Sequence, residues 1–133
     1  MFEAIIGIGS NINPLRNITS AVNELAIFSI IEVSPFLYTK PVGYTKQDWF
    51  YNGAIAIETC LNLTCLLDKL KAIEKSMGHS NHIKNHPRLI DLDLLIYNGK
   101  IFDEDLRKHW FLNQNVKDLD FYTHGFHKDK SYC

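Results

Sequence analysis

A chain of 133 residues is the size of one domain and long enough to bury a proper hydrophobic core. With 46% apolar and 22% charged residues, its composition excludes the disordered and membrane-spanning classes. A net charge of −1 argues against a broad nucleic-acid footprint.

The N-terminus, "MFEAIIGIGSN", has neither the basic leader nor the long apolar run of a secretion signal, so a cytoplasmic protein is expected. Three cysteines, Cys60, Cys65 and Cys133, show no zinc-like spacing. Cys60 and Cys65 are expected as reduced packing residues.

The chain opens on "FEAIIGI" (2–8), apolar on both faces and expected as a central strand. Asn13 and Pro14 then read as an N-cap and a first helical residue. Leu15, Ile18, Val22 and Leu25 fall on one face of a helix over 14–27. "SIIEVSPFLYT" (29–39) reads as a second strand, with Pro35 marking an edge or a bulge.

"YNGAIAIET" (51–59) is a third strand. A second helix over 64–77 turns Leu66, Leu67, Leu70, Ile73 and Met77 inward and stops at Gly78. After a polar, histidine-rich loop comes a fourth strand, 90–97. The order β-α-β-β-α-β predicts an α+β, ferredoxin-like domain, an antiparallel sheet with helices packed on one face. Residues 1–102 form its core. Residues 103–133, an atypical C-terminal segment of the same domain, show no clean pattern.

Candidate chemistry gathers in "HPRLIDLDLLIY" (86–97). Side chains two apart on a strand share a face, so Asp91 and Asp93 point one way, about 7 Å apart. Leu92, Leu94 and Ile96 point the other way, into the core. Two such carboxylates repel unless a cation joins them, and magnesium fits, since it takes one or two carboxylates and completes its shell with water and phosphate oxygens. Solvated edge charges, or an ion pair with Arg88, are the plainer alternative.

Lys84, His86 and Arg88, with His79 and His82 upstream, could neutralise phosphate, or could form a merely solvated loop. Trp49, Phe50 and Tyr51 cannot all face inward on a strand, which leaves a ring free to stack on a planar ligand or simply to cap the core. Asn52 beside them carries both a donor and an acceptor.

Taken together, "GSN" (9–11), "TKPVG" (39–43), "DWFYN" (48–52) and "PRLIDLDLLIY" (87–97) resemble the 6-hydroxymethyl-7,8-dihydropterin pyrophosphokinases of folate biosynthesis. Leu89 stands where that family has threonine. The resemblance runs from residue 4 to 102 and implies a ferredoxin-like fold. It also implies transfer of pyrophosphate from ATP to the pterin hydroxymethyl group, releasing AMP.

By the same resemblance Asp91 and Asp93 would hold two magnesium ions, and Arg88 would act with them on the phosphates. Glu74, Lys84, Arg88 and Leu94 would line the ATP side. Thr39, Val42, Phe50 and Asn52 would bind the pterin. The partners implied are the two small substrates, with no nucleic acid and no membrane, and the chain is expected to be a monomer. Beyond residue 102 the family's Pro-His-x-x-Met-x-x-Arg-x-Phe stretch has no counterpart. Phe111, Phe121 or Phe126 could supply the missing ring, and His109, Lys117 or Lys128 the missing cations. A homologue that binds pterin or nucleotide without turnover is the alternative reading.

Overall fold

Alternation along Phe2–Ser10 builds the middle strand of the sheet, β1, which is buried from Ala4 onward. Ala4, Ile6 and Ile8 enter one hydrophobic core and Ile5 a second on the opposite face. The structure, a computed structural model, describes residues 1–78 and 87–119.

Helix α1 spans Pro14–Leu25 behind Asn13, which adopts a left-handed conformation (φ 41°) and makes no side-chain cap. Ala21 and Leu25 are buried and Ile18 and Val22 pack beside them. Leu15, expected on this face, is 85% exposed. It sits at the margin of the buried stripe, roughly 70° from its centre at about 100° per residue.

The single strand expected over 29–39 is two, β2 (Ser29–Val33) and β3 (Leu37–Thr39), both antiparallel to β4 (Phe50–Thr59). Pro35, which has no N–H for a ladder, lies at the break. Buried Ser34 bridges it: its N–H donates to the Ala54 carbonyl and its Oγ accepts from the Ala54 N–H, both at 2.8 Å.

Helix α2, Leu63–Ser76, is capped by Asn62, whose side chain accepts from the Cys65 N–H at 2.9 Å. It ends before Gly78, whose φ of +94° suits glycine. Leu66, Leu70 and Ile73 are buried against the sheet, with Leu67 and Met77 at the margin. Neither cysteine near this helix packs inward as expected. Cys65 is an exposed free thiol, and Cys60, also exposed, is disulfide-bonded.

Strand β5, Asp91–Tyr97, pairs with β1 on the side away from β4. Its register slips by one residue between Ile5↔Ile96 and Ile6↔Leu94. The bulge sends both Leu95 and Ile96 to the second core, so Ile96 does not join Leu92 and Leu94 as simple alternation predicts. A two-residue turn, Asn98 and Gly99 both at positive φ, folds back β6, Lys100–Ile101.

The antiparallel order is β2-β4-β1-β5-β6, with β3 also on β4 and α1 and α2 on one face, the ferredoxin-like arrangement. The segment after Gly99, for which no element is legible, adds two short helices, α3 (Asp105–Lys108) and α4 (Trp110–Lys117). Leu106, Val116 and Leu119 bury themselves on the other sheet face against Ile5, Ala54, Ala56 and Leu95. No helix among the described residues is long and apolar enough to cross a membrane.

Candidate active site

On the face that carries α3 and α4, the sheet is only half covered, and a cavity of about 180 Å³ opens beside the second core. Its floor is the centre of β1, where Gly7 and Gly9 leave the backbone bare. A Cβ on Gly9 would lie 2.8 Å from Asn52 Oδ1, and one on Gly7 3.2 Å from Leu95 Cδ1. The glycines therefore let neighbouring side chains lie flat across the strand.

One wall comes from β3 and β4. Phe50 and Asn52, two apart on β4, both face the cavity. Asn52 is 9% exposed, and its Nδ2 donates to the hydroxyl of buried Thr39 at 2.6 Å. That bond fixes the amide, with Oδ1 against Gly9. Lys40 and Val42 complete this side. Trp49 and Tyr51 turn outward and pack with tilted rings around Tyr38, at centroid distances of 5.2 and 4.7 Å.

The opposite wall comes from the start of α4. His109 and Phe111 line it with their rings stacked, 5.3 Å apart and 11° from parallel. Leu112 follows. Of the three phenylalanines considered for a second ring, Phe111 shares the cavity with Phe50. Phe121 and Phe126 lie outside the described residues. So do His79, His82, Lys84, His86 and Lys128.

The third side is charged. Arg88, Asp91 and Asp93 all reach the cavity, and Arg88 Nη1 lies 3.6 Å from Asp91 Oδ1. Asp103, just before α3, and Asp105, its first residue, add two carboxylates that sequence patterning did not single out. Asp93 is exposed by accessible area, yet its carboxyl lies in the concave site with protein groups crowded around it. The desolvation raises its pKa from 3.8 to about 7, and the charges of Asp91, Glu74 and Asp103 add to the effect while Arg88 opposes it.

Two expected residues sit elsewhere. Glu74 reaches from α2 to the strand backbone, where its Oε2 accepts the Leu92 N–H at 2.8 Å, between the two aspartates. Leu94 is buried in the core beneath α1 and α2, 3% exposed, because alternation turns it away from Asp93. Asn11, the last residue of the "GSN" stretch, ties Arg88 to the loop before Phe50. Among the described residues no group of three or more His, Cys, Asp or Glu side chains is close enough to hold a metal. Magnesium bound through two carboxylates, water and phosphate needs no third protein donor.

Residues 5–120 match the model of the 7,8-dihydro-6-hydroxymethylpterin-pyrophosphokinase (HPPK) family. A 2-amino-4-hydroxy-6-hydroxymethyldihydropteridine pyrophosphokinase of Methylorubrum extorquens is 40% identical over 111 residues, 80% of this chain and 70% of its own length. The protein of the same name from Bacillus subtilis is 36% identical over 71% of this chain and 59% of its own. The folic acid synthesis protein FOL1 of Dictyostelium discoideum is also 36% identical, over 75% of this chain but only 16% of its own length.

A crystal structure titled as HPPK-DHPS in complex with substrates aligns with a TM-score of 0.56 at 16% identity. The alignment covers 73% of this chain and 28% of that one, and the likeness supports the fold. With a family match spanning most of the chain, the protein belongs to the 7,8-dihydro-6-hydroxymethylpterin-pyrophosphokinase family.

Proposed function

We propose that the chain transfers pyrophosphate from ATP to the hydroxymethyl group of 6-hydroxymethyl-7,8-dihydropterin and releases AMP. One observation carries this reading. A ring-holding wall (Phe50, Asn52, Phe111) and a charged wall (Arg88, Asp91, Asp93) meet in a single small cavity. The names of the pyrophosphokinase relatives support the same chemistry.

The pterin would stack between Phe50 and Phe111, and the Asn52 amide, held by Thr39, would read its heteroaromatic edge. Thr39 and Val42 border that side. Arg88 would bind phosphate oxygens, a task suited to its planar fork of donors. Asp91 and Asp93 would hold two magnesium ions. The donor set fits, because the carboxylates around Asp93 outnumber the arginine that opposes them and leave it short of positive charge. Bound there, magnesium neutralises the charge of the polyphosphate.

Glu74 would support the ATP side by fixing the Leu92 backbone between the aspartates. Leu94 would contribute through backbone alone. Lys84 remains a candidate phosphate contact outside the described residues. In the reaction the pterin hydroxyl oxygen bonds to the β-phosphorus as the bond to the bridging oxygen of the α-phosphate breaks. The protein's part is alignment and charge neutralisation. Residues 103–119 would belong to the same catalytic domain, a reading supported by the packing of Leu106 and Val116 on the sheet. The same reading has a cytoplasmic monomer.

Incubating the protein with ATP, magnesium and the pterin, followed by mass spectrometry, tests it. A pyrophosphorylated pterin and an equal amount of AMP are expected. Pterin binding with no product would favour the non-catalytic alternative.

A further inference from the structure

Asn11 directly follows β1 and is 5% exposed, and it does not line the cavity. Its Nδ2 donates to Gln47 Oε1 at 2.8 Å and to the Asp48 carbonyl at 2.9 Å, in the loop that leads into Phe50. Its Oδ1 accepts the Arg88 N–H at 2.8 Å, and its own N–H donates to the Arg88 carbonyl at 3.1 Å. Gln47 passes the connection on, its Nε2 donating to the Tyr44 carbonyl at 2.6 Å. A carboxamide alone among side chains of this size offers two donors at one atom and an acceptor at the next. Aspartate lacks the donors, and an apolar replacement lacks both.

We propose that Asn11 is a positioning residue that fixes the ring-side loop relative to Arg88, and so sets the pterin against the phosphates. The inference rests on the pyrophosphokinase reading. A reaction catalysed by alignment is sensitive to such a link, since a misplacement of about 1 Å can cost roughly a hundredfold in rate. The two sides are otherwise carried on different strands, β4 and β5, which lie on opposite sides of β1 in the sheet.

Two variants divide the link. Asn11→Asp keeps an acceptor for the Arg88 N–H but turns a carboxylate oxygen toward the Asp48 carbonyl. Asn11→Ala removes both ends. Asn11→Asp should raise the KM for pterin about tenfold while the KM for ATP stays within about twofold. Asn11→Ala should raise both and lower kcat about a hundredfold.

Backbone hydrogen exchange provides a readout independent of turnover. Exchange over 44–49 should quicken in both variants, and at Arg88 only in Asn11→Ala. Equal changes in both Michaelis constants for both variants, or a lowered Tm with unchanged constants, would overturn the proposal. Exchange unchanged in both segments would overturn it too. If the wild-type protein forms no AMP the pyrophosphokinase reading fails, and the exchange pattern still decides whether Asn11 joins the two segments.

Discussion

Gly9 and Asn52 show how closely the site is fitted at the level of single residues. A methyl on Gly9 would stand 2.8 Å from Asn52 Oδ1, so the amide must move. Gly9→Ala is expected to raise the pterin KM by roughly tenfold while leaving the KM for ATP nearly unchanged, as steady-state kinetics will report. Asp93 makes a second prediction. Its pKa is about 7 folded against 3.8 as the ordinary value, so the folded protein holds this proton more tightly than the unfolded chain. Below about pH 4 both states are protonated and nothing is lost. Between pH 4 and 7 the unfolded chain gives up the proton first, and stability falls as pH rises. Without divalent cations the protein should therefore be less stable at pH 8 than at pH 5.5, by about 1 kcal/mol after discounting for the solvent-facing edge of the carboxyl. Urea denaturation of Asp93→Asn should show that part of the pH dependence removed. The aspartate pair was legible because alternation needs only local sequence. For Asn11 the "GSN" stretch marked the position but not the role, because its side-chain partners lie 36 and 77 residues away.

Among the elements, those with long periodic runs, β1, β4, α1 and α2, stand where their patterns put them. The two helices turn their apolar stripes to one core, the two strands serve a core on each face, and the register follows. The misses share a cause: each depends on a short or long-range feature. Pro35 divides a strand in two, and a one-residue bulge reverses the face of Ile96. The Asn98–Gly99 pair, a recognised hairpin turn, was the available signal for β6. Helices α3 and α4 are four and eight residues long, too short for a periodic stripe to stand out, and packing on the sheet rather than propensity forms them. Leu106, 4% exposed, anchors this layer, and Leu106→Ala should cost about 2–4 kcal/mol in chemical denaturation. Asn115 on α4 is fully buried, and neither amide atom finds a hydrogen-bond partner among the described residues. Asn115→Leu, which keeps the branched skeleton and removes both unpaired polar atoms, should raise stability by about 1 kcal/mol, net of the extra methyl volume.

The two sheet faces do different work. The face under α1 and α2 is continuous core, built from the even-numbered residues of β1. The other face is core at one end and cavity at the other, because glycine replaces isoleucine at positions 7 and 9 and aspartates occupy one side of β5. The same six-stranded sheet thus stabilises the fold and presents two unlike walls across a bare strand. The central claim is that these walls divide the labour, Phe50 holding a ring and Asp93 serving the polyphosphate. Steady-state AMP formation by Phe50→Ala and Asp93→Asn, paired with pterin binding by calorimetry, measures that division. The account predicts that Phe50→Ala raises the pterin KM with the ATP KM unchanged. It predicts that Asp93→Asn binds pterin normally but loses turnover at least a hundredfold. Full turnover by Asp93→Asn, or an unaltered pterin KM in Phe50→Ala, would contradict it.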